Sequence, residues 1–286
     1  MQPCKIHLLI FCAVVGVVGV MKERFGGIER LYGLEVFRAF KSTHACIIGI
    51  GGVGSWVAEG LARSGIGEIT LIDMDDICVT NINRQIQALT SNVGELKTEV
   101  MAARLKDINP DIIVHIEDCF LTRENTRELI AEKYDTIFDA IDSVKPKAQL
   151  IWHCKRNKIP LLCAGGAGGL TDPSQIEITD LARTFNDALS SKTRSWLRRE
   201  YNYSTNPKRK LDVDFVYSKE QTHYPKADGS VCKSKSEMDG SVKLDCSSGF
   251  GSSTAVTASF AMFAVAHMLN KIAKRVAKSA DKNKDN

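Results

Sequence analysis

Short apolar runs rich in β-branched residues alternate with longer amphipathic segments over the first two thirds of the chain. The apolar runs predict strands buried on both faces, and the amphipathic segments predict helices. The predicted strands are Ala45–Ile50, Glu68–Asp73, Ile112–Glu117, Asp135–Asp142 and a run that begins at Ile159. The predicted helices are Val53–Ser64, residues 94–110, residues 122–134 and Pro146–Asn157. This alternation predicts an α/β fold, with a Rossmann-like, mostly parallel sheet and helices on both of its faces.

The alternation ends near Ala182, and the rest of the chain has the pattern of a C-terminal extension with short strands. A helix is predicted over Asn186–Tyr201 and a short strand over Asp214–Ser218. The segment Ser252–Lys278 has the length of a membrane span, but its Ser, Thr and His residues favour a buried closing helix. The predicted organisation is a leader at 1–21, a nucleotide-binding domain at 22–182, a substrate-binding extension with the closing helix at 183–276 and a disordered tail at 277–286.

The N-terminal segment Leu8–Val20 is apolar throughout and resembles the apolar part of an export signal. Three interpretations stay open, namely a leader translated upstream of a true start at Met21, a membrane anchor, or an export signal. Export conflicts with a nucleotide-binding protein that has many thiols. We therefore expect a cytoplasmic protein, with N-terminal membrane association if residues 1–20 are translated.

Composition narrows the function classes. Because 44% of the residues are hydrophobic and 25% are charged, the chain can form an ordinary globular core without disulfides or metals. The net charge of +4 is too small to indicate nucleic-acid binding by itself. None of the nine cysteines forms a C-x-x-C pair, which excludes a local zinc motif of that kind and favours reduced thiols.

The first predicted strand runs into a glycine-rich turn, CIIGIGGVGS. Gly49, Gly51 and Gly54 fit the G-x-G-x-x-G fingerprint of dinucleotide-binding folds. Asp73 ends the second strand, where a carboxylate can accept both ribose hydroxyls. This pattern alone fits an NAD-dependent dehydrogenase, and it also fits a tight strand–helix turn without a ligand.

Polar residues after the second strand indicate a different ligand. Asn81 and Arg84 lie in a polar turn at the carboxyl edge of the predicted sheet, and Lys97 opens the next helix. Asp139 and Asp142 end the fourth strand at the same edge. Phosphate oxygens bind cations and Mg²⁺ binds carboxylates, so this set predicts a triphosphate site rather than a nicotinamide site.

These motifs together resemble a known family. The segments GIGGVGS, LIDMDDICVTNINRQ, VGELKTEV and DAIDS are similar to those of the ubiquitin-activating-enzyme-like (ThiF/MoeB) adenylyltransferase superfamily. Within it, RFGGIERLYG, CKRNKIPLLCAGGAGG and DCSSGFGSSTAVTASF resemble the tRNA threonylcarbamoyladenosine dehydratases. The resemblance runs from about Arg24 to Lys274, which is nearly the whole chain outside the leader and the tail.

The resemblance implies an ATP site with Mg²⁺. It implies that Arg84, Lys97 and Asp142 are catalytic residues. It also implies that Asp142 binds the metal, with Asp139 behind it as a second metal residue. The implied ATP-binding residues are Gly49, Gly51, Gly52, Gly54, Ser55, Asp73, Asp75, Asn81, Arg84, Gln85, Lys97 and Asp142. A homodimer is also implied, in which an N-terminal arginine reaches the partner's ATP, and this arginine is Arg24 or, alternatively, Arg30.

The implied reaction takes place on tRNA, at a threonylcarbamoyladenosine beside the anticodon. The threonyl carboxylate is activated by ATP as an acyl-adenylate, and ring closure then gives net loss of water. Cys232 and Cys246 suggest a further hypothesis, sulfur handling with a sulfur-transfer or cysteine-desulfurase partner, whose alternative is a pair of ordinary loop thiols.

Three other functions stay open. The first is an adenylyltransferase that activates the C-terminal glycine of a ubiquitin-like sulfur-carrier protein, although such bacterial enzymes commonly carry the C-x-x-C pairs missing here. The second is NAD-dependent oxidoreduction, which the set of Arg84, Lys97 and Asp142 disfavours. The third is a non-catalytic tRNA-binding module, in which degraded phosphate-binding residues are expected.

Cations of the C-terminal extension form a candidate track for tRNA phosphates, whose alternative is a solvated helix face. The track consists of Lys192, Arg194, Arg198, Arg199 and Lys208–Lys210. His223 and Tyr224 could stack on a tRNA base or simply occupy a surface loop.

Overall fold

The computed structural model describes residues 23–130, 134–206, 208–226, 228–233 and 250–284. The leader over residues 1–21 and Cys246 lie outside these residues. The helices are α1 (residues 23–32), α2 (Leu34–Ser42), α3 (Gly54–Arg63), α4 (Lys97–Ile108), α5 (Thr126–Leu129), α6 (Val144–Arg156), α7 (Ala188–Tyr201) and α8 (Thr254–Lys284). The strands are β1 (His44–Ile48), β2 (Glu68–Ile72), β3 (Ile113–Glu117), β4 (Thr136–Asp139), β5 (Leu161–Ala164), β6 (Ile176–Asp180), β7 (Asp214–Ser218), β8 (Tyr224–Pro225) and β9 (Val231–Cys232).

The first seven strands form one sheet in the order β3-β2-β1-β4-β5-β7-β6. All neighbouring pairs are parallel except β6 with β7, which confirms the predicted mostly parallel Rossmann-like sheet. Because β1, β2 and β4 are parallel neighbours, their carboxyl ends meet at one edge. This edge is where an open α/β sheet binds its ligand.

Strand β7 occupies a position that its surroundings in the sequence do not reveal. The sequence predicts a short strand among loops, but β7 lies between β5 and β6, and Phe215, Val216 and Tyr217 are fully buried. The predicted boundary at residue 182 therefore falls within one sheet, and the C-terminal extension completes that sheet.

Helix α5 is much shorter than the helix predicted over residues 122–134. Thr122 N–H donates to Asn125 Oδ1 over 2.7 Å, and Asn125 Nδ2 donates to the carbonyl of Phe120 over 2.9 Å. These local side-chain bonds offer the backbone an alternative to the helix, and α5 begins only after them.

Helix α8 closes the domain by packing against α2, α3 and the sheet. Its buried residues recur every three to four positions and include Val256, Phe260, Ala264, Met268 and Ile272. A Cβ on Gly60 of α3 would lie 2.8 Å from Val265 Cγ2, so the absent side chain permits this close helix contact.

The length and apolar composition of α8 would also suit a membrane span. However, 50% of its most apolar window is buried inside the protein, which fits the predicted closing helix. The helix continues to Lys284, whereas the sequence predicts a disordered tail from residue 277. Alanine and lysine, which recur in this segment, are strong helix formers.

Candidate nucleotide-binding site

The glycine turn connects β1 to α3 at the carboxyl edge of the sheet. Gly49 has φ +87°, a backbone conformation that L side chains rarely adopt. A Cβ on Gly54 would lie 1.8 Å from the Gly49 carbonyl oxygen, so no side chain fits there. In contrast, a Cβ on Gly51 would meet no atom within 4 Å, and the backbone is open on that side. The turn is thus closely packed against its own backbone at Gly54 and open at Gly51, as the close approach of a phosphate requires.

Asp73 follows β2 and is tied to this turn. Its Oδ2 accepts from the Ile50 N–H over 2.6 Å, and its Oδ1 accepts from the Asp75 N–H over 2.9 Å. Burial raises the pKa of Asp73 above its usual value, while Lys97 and the two backbone donors oppose the rise. Asp73 thus fixes the glycine turn through Ile50, in addition to its predicted contact with a ribose.

Lys97 is the first residue of α4 and only 6% exposed. Its Nζ lies 2.6 Å from Asp75 Oδ2, and its N–H donates to the Asp75 carbonyl over 3.1 Å. The paired carboxylate compensates the cost of burying the ammonium group, because an unpaired buried charge is strongly destabilising. Lys97, which is predicted to bind the ATP phosphates, is therefore held at the sheet edge by Asp75.

Arg84 lies over the glycine turn. A Cβ on Gly52 would be 3.4 Å from Arg84 Cγ and 3.3 Å from Thr257 Cγ2 of α8, so the absence of that Cβ lets the arginine approach the loop. Trp56 Nε1 donates to the Arg84 carbonyl over 3.0 Å and holds its backbone. The guanidinium donates to Thr80 O over 2.5 Å. Arg84 and the glycines are thus brought together, as the motifs predict.

Three of the predicted site residues are hydrogen-bonded within this region and hold its turns in place. Asn81 Oδ1 accepts from the Cys78 N–H over 3.0 Å, which closes the turn before Arg84. Gln85 is buried, and its Oε1 accepts from Gln87 Nε2 over 3.1 Å. Ser55 is also buried and donates to a loop carbonyl, that of Gly51, over 2.7 Å.

Gln87 is a site residue that sequence reasoning missed. It is buried, and its Nε2 donates to the carbonyl of Ile50 inside the glycine turn over 3.0 Å. The sequence offers one signal for it, a second glutamine two residues after Gln85. This signal predicts no role for Gln87, because the contact with Ile50 forms only when the fold brings the two turns together.

The two predicted metal residues differ in their surroundings. Asp139 is fully buried, with its Oδ2 at 2.7 Å from Lys147 Nζ and its Oδ1 accepting from the Ile141 N–H over 2.9 Å. Both of its oxygens are thus used by the protein. Asp142 is exposed just before α6 and borders a cavity. Of the two carboxylates, only that of Asp142 is accessible to a bound cation.

The two candidate arginines for a dimer contact also differ. Arg24 Nη1 donates to the carbonyl of Ile108 over 2.7 Å, which satisfies a free carbonyl at the end of α4. Arg30 is exposed on α1.

Helix α7 divides the predicted cation track between two faces. Arg194 is on the inward face with buried Ser190, Thr193 and Leu197, and its Nη1 donates to the Leu181 carbonyl over 3.2 Å and to the Thr184 hydroxyl. This arginine therefore has a structural role within its own chain, which weakens the sequence-based hypothesis that it contacts a tRNA phosphate.

The remaining cations of the track lie nearer to solvent. Arg198 is half-buried and its Nε donates to Ser204 O over 3.3 Å, whereas Lys192 and Arg199 are exposed on α7. Lys208–Lys210 is also exposed. The helical repeat alone predicts which of these cations face inward and which face solvent. Positions 190, 193, 194 and 197 share one face of α7, and positions 192, 195, 196 and 199 share another.

The C-terminal loop residues have packing roles in the structure. His223 Nδ1 lies 3.3 Å from the carbonyl of Gly169, and the ring of Tyr224 packs edge-on against Phe250 at 5.5 Å. Cys232 is buried, with Sγ at 3.6 Å from the carbonyl of Tyr224.

The sheet order and the glycine turn define a nucleotide-binding α/β protein of the Rossmann type. The chain belongs to the ThiF family, whose model matches residues 27–284. It is 52% identical over 257 residues to the tRNA threonylcarbamoyladenosine dehydratase of Escherichia coli, an alignment that covers 90% of this chain and 96% of that protein.

Solved structures give the same picture. The crystal structure of E. coli tRNA N6-threonylcarbamoyladenosine dehydratase, TcdA, in complex with ATP matches with a TM-score of 0.80 and 49% identity, covering 90% of this chain and 96% of that one. In comparison, the molybdopterin-synthase adenylyltransferase of E. coli is 34% identical over 124 residues, which is 43% of this chain and 49% of that protein.

Proposed function

We propose that this protein catalyses the ATP-dependent dehydration of threonylcarbamoyladenosine in tRNA, next to the anticodon. The observation that carries the proposal is the similarity to a dehydratase of that name over 96% of its length, with the C-terminal extension included. Activation of a sulfur carrier's C-terminal glycine is the weaker alternative, because the adenylyltransferase relative aligns with only 43% of this chain and over 49% of its own length.

The reaction has two displacements. An oxygen of the threonyl carboxylate attacks the α-phosphorus of ATP, pyrophosphate leaves, and the carboxyl group becomes an acyl-adenylate. A nucleophile in the same side chain then attacks the acyl carbon, AMP leaves with the former carboxylate oxygen, and a ring forms. The modified base has lost one water, and ATP has become AMP and pyrophosphate. Because ring closure is intramolecular, no enzyme nucleophile is needed, and positioning supplies much of the rate.

Arg84 and Lys97 supply the positive charge for this chemistry. Arg84 packs against the glycine turn and Lys97 opens α4, and from these positions they would offset the charge that develops on the phosphates in the transition state. Lys97 arrives already oriented by Asp75, so little reorganisation is needed. Ion pairing with Asp75 would weaken as phosphate oxygens approach the ammonium group.

Asp142 is the residue that would hold Mg²⁺. An exposed carboxylate at this edge of the sheet fits the preference of Mg²⁺ for a few carboxylate oxygens together with phosphates and water. The bound ion would neutralise phosphate charge. Asp139 would contribute indirectly, since its buried pair with Lys147 fixes the end of β4 from which the chain continues to Asp142.

We further propose a homodimer in which an arginine of α1 completes the partner's ATP site. Arg30 is better placed for this role than Arg24, because Arg24 is bound to α4 of its own chain. Mixing Arg30→Ala and Lys97→Ala subunits tests the proposal. A mixed dimer would regain one complete site if the arginine acts on the partner, and none if it acts within its own chain.

The sulfur-transfer partner receives little support. Cys232 is buried against Tyr224, and Cys246 lies outside the described residues. A cytoplasmic location stays a proposal, made because the proposed reaction needs ATP and tRNA, which are available in the cytoplasm.

The deciding experiment is mass spectrometry of nucleosides from tRNA treated with the protein, ATP and Mg²⁺. The expected product is threonylcarbamoyladenosine lighter by one water, formed only with ATP. A thermal-shift assay gives an independent measurement, because ATP with Mg²⁺ should raise Tm whereas NAD should not. Unchanged nucleosides together with an ATP response would favour the sulfur-carrier alternative.

A further inference from the structure

The cavity of about 620 Å³ that Asp142 borders extends from the proposed nucleotide site to helix α7. One wall is the start of α6, with Asp142 and Lys145, and the other is the outward face of α7. The α7 residues that line it include Lys192, Ser195, Trp196 and Arg199. The cavity therefore joins the nucleotide-binding edge of the sheet to the cations of the C-terminal extension.

Trp196 is the central feature of this cavity. Its ring is half-buried, and two cations lie over it, with the guanidinium carbon of Arg199 at 4.4 Å and the Nζ of Lys145 at 5.2 Å from the ring centroid. Arg199 is also paired with Glu200 at 2.7 Å, but both of these side chains are well exposed. Such an exposed pair is weak, so Arg199 can exchange it for a phosphate at small cost.

The α7 wall is held rigidly against the sheet. Asp187 caps the helix by accepting from the N–H groups of Leu189 and Ser190, and it also accepts from the Gly166 N–H after β5 over 3.2 Å. At the other end, Tyr201 stacks on Trp152 of α6 with ring centroids 5.2 Å apart. Trp196 is thus presented from a fixed helix, which reduces the entropy lost on binding.

We propose that this cavity binds a tRNA nucleotide adjoining the modified adenosine, with its base on Trp196 and its phosphates on Lys145, Lys192 and Arg199. The inference rests on the proposed function. An aromatic ring flanked by cations is the chemistry that recognises unpaired nucleotides, since every base has a π-face and every linkage a phosphate. The anticodon loop supplies such nucleotides. Because Asp142 lies on the rim, a nucleotide bound in this cavity would place the neighbouring modified adenosine near the nucleotide-binding edge of the sheet.

The test compares two tryptophans. Trp196→Ala should raise KM for tRNA carrying threonylcarbamoyladenosine by about tenfold or more, with kcat and ATP binding within about twofold of wild type. Trp196→Tyr should restore most of the affinity, because it retains a stacking surface. Trp152→Tyr is the matched control, since this ring also lies under a cation, Arg156 at 5.4 Å, but does not line the cavity.

Fluorescence and salt dependence add readouts that a purely structural role would not change. Titration with the tRNA should quench the wild-type protein and Trp152→Tyr, and the quench should fall sharply in Trp196→Tyr. Lys192→Ala, at an exposed position, should lower the slope of log Kd against log salt by about one unit.

Two outcomes would overturn a proposal. An unchanged KM in Trp196→Ala and an unchanged salt slope in Lys192→Ala, with wild type active, would overturn the cavity proposal alone. A wild-type protein that leaves the modified nucleoside intact would overturn the proposed function, and the cavity proposal with it. If Trp196→Ala fails to fold, Trp196→Tyr and Lys192→Ala still decide the question through quenching and salt slope.

Discussion

The ammonium group of Lys97 lies 2.6 Å from Asp75 Oδ2, at the junction of α4 with the carboxyl edge of the sheet. This buried cation is balanced by a half-exposed carboxylate that follows β2 at this edge. Under the proposed function, a phosphate that binds at this edge would meet a positive charge already in place.

Lys97→Ala should therefore fold and lose adenylation. Removing one preorganised charge from such a site costs about a hundredfold or more in rate. The measurement is ATP–pyrophosphate exchange in the presence of substrate tRNA, together with the Tm response to ATP. Lys106→Ala, at an exposed position near the end of the same helix, is the control and should match wild type. Near-wild-type turnover of Lys97→Ala at saturating ATP would contradict the assignment.

Two glycines of the turn should respond differently to alanine. Gly54→Ala places a methyl group 1.8 Å from the Gly49 carbonyl oxygen, so it should destabilise the protein by about 1–3 kcal/mol or more and abolish ATP binding. Gly51→Ala meets no protein atom within 4 Å and should leave the free energy of unfolding nearly unchanged while weakening ATP binding. Urea unfolding with ATP titration separates the two effects. Equal stability losses would mean that the protein is not open beside Gly51, and unchanged ATP affinity in Gly51→Ala would mean that this open side is not a ligand surface.

Arg194 and Arg199 provide a similar comparison within α7. Arg194→Ala removes bonds to Leu181 O and to the Thr184 hydroxyl, and it should lower the free energy of unfolding by about 1–3 kcal/mol. Arg199→Ala alters an exposed side chain and should change stability by less than about 0.5 kcal/mol while weakening tRNA binding. Urea unfolding and a tRNA salt titration measure the two quantities. If Arg194→Ala is as stable as wild type but binds tRNA more weakly, Arg194 contacts a tRNA phosphate after all.

Asp214 should contribute a pH-dependent part of the stability. His267 and Lys271 of α8 lower the pKa of this carboxyl from 3.8 to about 2. Since the folded pKa lies below the unfolded one, the stabilisation is complete above about pH 4 and is lost as pH falls towards 2. After discounting for partial exposure, it amounts to about 1 kcal/mol. Asp214→Asn should be less stable than wild type at pH 6, with the gap closing near pH 2. A stability difference between Asp214→Asn and wild type that does not change with pH would show that the ionised carboxylate of Asp214 is not its cause.

Cys232→Ser and Cys246→Ser should each keep dehydratase activity within a few fold of wild type. The proposed ring closure is intramolecular, and the Cys232 thiol is buried against a carbonyl oxygen. Nucleoside mass spectrometry after a timed reaction is the measurement, with circular dichroism as the folding control. A loss beyond about a hundredfold in a folded variant would reveal a thiol step.

Much of the nucleotide half is determined by local sequence. Apolar runs predict β1, β2 and β4 to within a few residues, because strands buried on both faces have no polar alternation. The G-x-G-x-x-G spacing predicts the turn, since Gly54 has no room for a Cβ and Gly49 needs positive φ. Lys97 opens α4, as expected from the polar turn before it.

Other features depend on contacts between distant segments. No local pattern places β7 between β5 and β6, because strand order is decided by which buried faces complement each other. Gln87 gains its role only when its turn folds beneath Ile50. Asp139 and Asp142 have the same local chemistry. In the folded protein, Asp139 is buried in a pair with Lys147 from the first turn of α6, whereas Asp142 remains exposed. The sequence by itself determined the elements and the glycine turn, whereas tertiary packing decided which of the candidate charges can meet a ligand, because burial and pairing are properties of the assembled fold.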